Sequence, residues 1–315
     1  MNAPSPGTHA ASGSVRLRVV HETRYRYASP VTLSRQLLHL TPRPLPSQQV
    51  IAHRIAVQPA PAESIAGHDY FGNPTSQAVI TAPHRALSVL AESTVELRSR
   101  AVAQDLGDIG WEIARDALGK LGSQALLDAA RFCFESPHVP LGTAIHAYAA
   151  DVFAARRALL PALVDLTTRI HEEFEFDAAA TDIATPLTEV LEHRHGVCQD
   201  FAHLMIGCLR SRGLAARYVS GYILTMPPPG QPRLVGSDAS HAWVSVYCPG
   251  DDPAAGEWID FDPTNNCGID RDHVTLGWGR DFSDMTPARG VTLGGGPQQL
   301  AVQVTVSPDE GAPGR

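Results

Sequence analysis

The sequence predicts an α+β protein in two units, a β-sandwich followed by a core whose helices come first and whose antiparallel sheet comes after them. Three patterns carry this. Before about residue 105 the chain is a run of short alternating strands separated by proline, glycine and asparagine. From about 110 to 212, alanine, leucine and charged residues recur at helical spacing. After Gly213 alternation returns.

Taken in order, residues 1–14, MNAPSPGTHAASGS, are small and polar with two prolines, and they are expected to be disordered. They have neither a basic start nor an apolar run, so no secretory signal is expected. VRLRVVHETRYRY puts Val15, Leu17 and Val19 on one face and Arg16 and Arg18 on the other. SRQLLHLTPRPL, QQVIAHRIAVQP, SQAVITAP and LSVLAESTVEL follow as further strands, completing a β-sandwich over residues 15–104. DYFGNP is a turn by composition, with Gly72 and Asn73 free to take positive φ. IGWEIARDALGKL, ALLDAARFCFE, TAIHAYAADVFAA and LPALVDLTTRIHEEF read as helices, and AARYVSGYIL, HAWVSVYC and EWIDFDPT as the strands of the core, which spans 105–280. VTLGGGPQQLAVQVTV adds a glycine-rich turn and one strand to a C-terminal segment at 281–308, and 309–315 form a disordered tail.

The 315 residues are enough for two domains, each with its own core. A hydrophobic content of 43% with 18% charged residues is that of a soluble globular protein. The formal charge of −8 argues against nucleic acid as a partner, since phosphate binding wants a basic surface. No stretch is long and apolar enough for a bilayer, so no membrane partner is expected. Five scattered cysteines, an odd number with no CxxC pair, point to reduced thiols in a cytoplasmic protein and to no four-cysteine zinc module.

The chemistry centres on HRHGVCQDFAHLMIGCLRSRGL, residues 193–214. After Cys198, the residues Phe201, Leu204, Met205, Cys208 and Leu209 fall on one helical face, and Gly213 suits the C-terminal cap. Cys198 therefore opens the helix, where free amides and the dipole favour an anion and later a tetrahedral oxyanion. Cys208 belongs to the apolar face and to the core. Cys133, Cys248 and Cys267 have no such setting and are read as structural or incidental.

A thiolate needs a base, and the base an orienter. SHAWVSVYC sets His241, Trp243, Ser245 and Tyr247 on one face, and EWIDFDPT sets Trp258, Asp260 and Asp262 together. The turn-forming PGDDPAAG between them predicts a hairpin. Pairing His241 with Asp262 centres it on that loop, and a two-residue slip would bring in Asp260 instead. Cysteine on a helix, histidine on a strand and aspartate on the next is the order of the papain-like constellation. Trp243 and Tyr247 share the histidine's face and either wall the cleft or pack in the core. His193, His195 and His203 crowd the cysteine, but their spacing matches no common zinc site and His203 points well away from Cys198, so no metal is expected. Asp200, in the first turn, is read as structural or as holding the loop.

GVCQDFAHL, SHAWVSVY and WIDFDPTNN resemble, in order, the three motifs of the bacterial transglutaminase-like superfamily, cysteine proteases of papain-like fold. HETRYRY, LHLTPRP, DYFGN and APHRALSVLAESTVEL resemble the β-domain that often precedes this core, and GRDFSDMTPARGVTLGGG resembles the segment that follows it. The resemblance runs from Val15 to about Val306, with Phe282 where tyrosine is the family's residue. It implies Asp262 rather than Asp260 as the triad carboxylate, and thiol acyl chemistry by Cys198, His241 and Asp262. The acyl donor would be a peptide or protein substrate, cleaved by water or transferred to an amine; a silent binding module of the same fold is the alternative. The Cys198 amide would be one oxyanion donor, with Gln199 available as a second. No cofactor is expected.

Overall fold

The computed structural model describes residues 13–100, 109–120, 122–177, 185–225, 240–250 and 256–309. Residues 1–12 and 310–315 of the expected disordered ends, the domain boundary near residue 105 and most of the loop PGDDPAAG lie outside the described residues. In chain order the elements are β1 (Val15–Leu38), β2 (Gln48–Gln58), β3 (Glu63–His68), β4 (Pro74–Ile80), β5 (His84–Leu97), α1 (Trp111–Lys120), α2 (Gln124–Ala130), α3 (Thr143–Tyr148) and α4 (Leu159–Glu173). After them come β6 (Glu175–Phe176), α5 (Leu187–His193), β7 (His195–Gly196), α6 (Cys198–Arg210), β8 (Ala216–Ile223), β9 (Ser240–Pro249), β10 (Gly256–Asp262), β11 (Cys267–Gly268), β12 (His273–Gly279), β13 (Ala288–Gly294) and β14 (Gln298–Pro308).

The N-terminal unit is one antiparallel seven-stranded sheet organised on β1. One edge of β1 takes β5 and then β4, and the other takes β14 and then β13. The stretches beginning VRLRVV and SRQLL, expected as two strands, are thus one strand of 24 residues, with register shifts between Arg26 and Val31 against β5 and between Val31 and Leu33 against β13. The buried face changes parity there, from Leu17 and Val19 to Ser34, Gln36 and Leu38. The sheet folds over, so that Leu38 and Leu40 from one half cluster with Val89 and Ala91 of β5 from the other. The C-terminal segment carries two strands where one was expected. ARGVTLG has a weak apolar pattern of its own and is strand because β1 supplies its hydrogen-bonding partner.

The core sheet has the order β11-β10-β9-β8-β12. Ala242, Val244, Val246 and Cys248 of β9 face α6 and share its cluster with Phe201, Leu204, Met205 and Cys208. Both sides of β9 are buried. Each large apolar side chain sealed there contributes about 1.5–3 kcal/mol, so α6 is held firmly against the sheet. The two units are stapled together. Val95, Leu97, Val304 and Val306 pack on Tyr222, Val274 and Leu276, and His21 Nδ1 bonds the Tyr222 hydroxyl at 2.9 Å. Of the two turn residues Gly72 and Asn73, only Gly72 takes positive φ, at 74°. Asn73 is instead fully buried, donating to the Trp278 carbonyl and accepting from the Trp278 amide. Among the described residues, no helix is long and apolar enough to cross a membrane.

Candidate active site

The loop before α6 is clamped before the cysteine is reached. β6 and β7 pair in parallel, Glu175 with His195 and Phe176 with Gly196, and Arg194 turns the chain out of α5 in the left-handed region at φ 60°. Asp200 Oδ2 accepts from the Val197 amide at 2.9 Å, which is the loop-holding role expected of it. A Cβ on Gly196 would stand 2.8 Å from that same oxygen, so only glycine fits beneath the carboxylate. Cys198 is the first residue of α6 and is half-buried. The amides of Asp200 and Phe201 close on the Val197 carbonyl, which leaves those of Cys198 and Gln199 as the outward-facing donors of the first turn. Gln199 itself is half-buried beside the cysteine.

His241 begins the buried run of β9 opposite Gly221 of β8. The hairpin register differs by two residues from the expected one. Trp258 pairs with Tyr247 and Phe261 with Val244, so Asp262 lies beyond the last ladder pair, diagonal to His241 instead of opposite it. The shift is even, so the shared face survives it, and His241 Nε2 meets Asp262 Oδ2 at 2.7 Å. Cys198 lies near enough to the imidazole for its side chain to favour the protonated ring. Burial by itself would push the His241 imidazolium down; the bond to Asp262, the nearby Cys198 side chain and the charges of both outweigh it and raise the group to about 10.

Asp262 is fully buried and saturated with donors. Its Oδ1 accepts from the amides of Thr264 (2.9 Å) and Asn265 (3.2 Å), and its Oδ2 from Asn265 Nδ2 (2.6 Å). His273 Nε2 also reaches Oδ2, at 3.3 Å, while its Nδ1 bonds Asp272 at 2.6 Å. Burial opposes the charge on Asp262, but the bonds from His241 and His273 and the charge on His241 win, holding the carboxyl well below the usual carboxylate range. His273 is likewise pulled up against its burial by its two carboxylate partners.

His273 and Asn265 are the site residues that sequence reasoning missed. Asn265 lies inside the quoted WIDFDPTNN, and His273 opens HVTLGWG, an alternating stretch not recognised as β12. Trp243, considered as a cleft wall, is fully buried. It packs 5.3 Å from the His273 ring and 6.1 Å from that of His241, and a side chain on Gly221 would strike it at 2.5 Å. Tyr247 is buried too, against Trp258. Trp243 backs the two imidazoles, and Tyr247 packs in the core farther along the strand. His203 is buried away from the cysteine, stacked 5.5 Å from His138 and accepting from the Phe282 amide; burial holds it neutral, down to about 3. His193 and His195 stack on each other, ring centres 5.8 Å apart. Asp260 pairs with Ser245, two rows along the sheet from His241, and forms no bond to that histidine.

Nitrogen and oxygen atoms of His241, Asp262 and His273 all lie within 4.8 Å of one another, close enough to ligate an ion. They are already bonded to each other, however, and Cys198 stands outside the group.

Comparison with known proteins follows the same division of the chain. The sequence profile of the bacterial transglutaminase-like N-terminal region matches residues 17–96, and that of the transglutaminase-like superfamily matches residues 146–263. An uncharacterized protein of Mycobacterium tuberculosis is 40% identical over 99% of this chain and 98% of its own length. One from Mycobacterium leprae is 32% identical over 93% and 98%. A solved structure, a candidate cysteine protease from Cytophaga hutchinsonii, superposes with a TM-score of 0.74 at 19% identity, covering 96% of this chain and 93% of that one. At that identity the likeness is one of fold, and it extends over both units.

Proposed function

This chain belongs to the transglutaminase-like superfamily, and from that premise we propose that it is a thiol enzyme acting on peptide or isopeptide amide bonds through Cys198, His241 and Asp262. One observation carries the reading: the His241 imidazole is bonded to a buried carboxylate at 2.7 Å, and a cysteine at a helix N-terminus lies near enough to favour its protonated form. His241 takes the Cys198 proton on the nitrogen that Asp262 leaves free, and the sulfur attacks the amide carbonyl. Asp262, fixed by Thr264, Asn265 and His273, holds the ring's orientation and offsets the charge of the imidazolium. The carbonyl oxygen, now negative, is received by the Cys198 and Gln199 amides, with the Gln199 carboxamide as a further candidate donor. His241 returns its proton to the departing amine, leaving an acyl-thioester that passes to water or to a second amine. The five cysteines are all unpaired, which suits the reducing, cytoplasmic setting expected for such a thiol.

Iodoacetamide at pH 7 tests the thiol's standing directly. Burial pushes Cys133 up to about 11, and burial chiefly pushes Cys208, Cys248 and Cys267 up to about 12, so these four should resist labelling. Cys198 should label well ahead of them, as read by peptide mass spectrometry, and equal labelling of all five would defeat the proposal. Cys198→Ala should abolish turnover of amide substrates, a loss of about 10³-fold or more.

A further inference from the structure

Two residues along β10 from Asp262, the same face of the core sheet carries a second polar row. Arg217 of β8 pairs with Ser245 of β9, which pairs with Asp260 of β10. This row borders a cavity of about 1000 Å³ between the core sheet and the N-terminal unit. The cavity is at the upper end of the range for small-molecule sites. Leu45 and Leu97 wall it from the N-terminal side, and Val219, Trp258 and Trp278 from the sheet.

Arg217 is the unusual member. It is only 9% exposed, yet its Nε has no partner and no hydrogen bond or ion pair within 4 Å ties its guanidinium to any described residue. Instead the guanidinium is sandwiched, 4.0 Å over the Trp258 ring and 3.6 Å over the Trp278 ring. Those rings hold its plane and leave the rim of N–H groups available. Asp260 is the nearest opposing charge, but it stands two strands away, about 10 Å between backbones. Arg43 stacks on the other side of Trp278, and Arg98 and Arg100 stand at the cavity's edge, paired with Glu96 and Glu257. A buried cation held by aromatic rings but not bonded to an anion is costly until an anion arrives.

We propose that this cavity binds an apolar carboxylate, its anionic end on the Arg217 guanidinium and its hydrocarbon body along Leu45, Leu97 and Trp278. The same chemistry has two sources, a free medium-chain acid and the C-terminus of an apolar peptide. Cys198, His241 and Asp262 do not line the cavity; only His273 is shared with the candidate active site. The site therefore goes beyond the proposed reaction, and its test does not depend on turnover.

The full-length protein is titrated with decanoate and with decanamide, and with a tetrapeptide of leucines carrying either a free or an amidated C-terminus. Intrinsic fluorescence reports binding, because two of the chain's four tryptophans flank Arg217. At least one acid should change the emission saturably, and its amide should bind about tenfold more weakly or worse. Which acid saturates identifies the source. Arg217→Lys keeps the charge but loses the flat, stacked fork, and should weaken the acid by about tenfold. If neither acid saturates, or if acid and amide bind wild-type protein equally, the proposal is wrong. That acid-to-amide comparison decides the matter even where the Arg217→Lys chain does not fold.

Discussion

Asp260 and Asp262 are the same residue on the same face of the same strand, two positions apart, and their surroundings give them opposite characters. Asp262 sits where β10 leaves its ladder with β9, so a turn of amides and the Asn265 carboxamide close on it while His241 and His273 approach from other strands. Asp260 remains within the ladder, with its Oδ1 unpartnered beside an apolar cavity, and burial pushes it up despite the charge of Arg217. The end of a strand thus concentrates donors on a carboxylate, and the middle of one does not, because ladder amides are already spent on the neighbouring strand. One row is a polar site complete in itself. The next is a site still short of a partner.

That contrast breaks most readily at the carboxylates. Asp262→Asn should lower kcat/KM by about 10³- to 10⁴-fold, since an amide cannot hold the imidazolium. Asp260→Asn should lose less than a tenth as much, and comparable losses in steady-state kinetics would erase the distinction. His273→Gln withdraws the imidazole's hydrogen bond from Asp262. It should cost about 10- to 100-fold in kcat/KM with little change in KM, and the same substitution at His203 should show its effect in the unfolding midpoint instead. The pH profile sharpens the comparison further. His241 is held protonated up to about 10, so the alkaline limb of kcat/KM should fall near that value and move to lower pH in Asp262→Asn. The smallest effect is on stability. The folded value for His241 lies above its ordinary 6.5, so its stabilising contribution is complete below pH 6.5 and is lost as pH rises through about 10. Urea midpoints between pH 6 and 10.5 should decline less steeply in His241→Gln than in the wild type.

The sequence made the helix of Cys198 legible because its apolar spacing, its glycine cap and its place after a tight loop are local signals. The shared face of His241 and Asp262 was legible for a similar reason: parity along a strand does not depend on register, and so it outlasted a two-residue error in the pairing. His273 was not legible. It reaches Asp262 from β12, on the far side of β8 and β9, and that contact depends on sheet order, which alternation in HVTLGWG does not encode. Trp243 fell to the opposite difficulty. Its face was assigned correctly, but whether that face is open or covered depends on how the N-terminal unit docks. The long β1 was divided in the reading because ASPV has the composition of a break, whereas partners along both edges carry the strand through it.

The pairing of β13 and β14 with β1 ties the two extremities of the described chain into one sheet, Leu17 opposite Pro308 and Leu38 opposite Ala288. During synthesis the first strand leaves the ribosome some 250 residues before the complement to its second edge exists. The nascent amino-terminal sheet must meanwhile wait with that edge bare, exposed to pairing with other polypeptides. A translation product halted ahead of β13 should therefore be captured by chaperones or aggregate, although every residue of the thiol site has already been made.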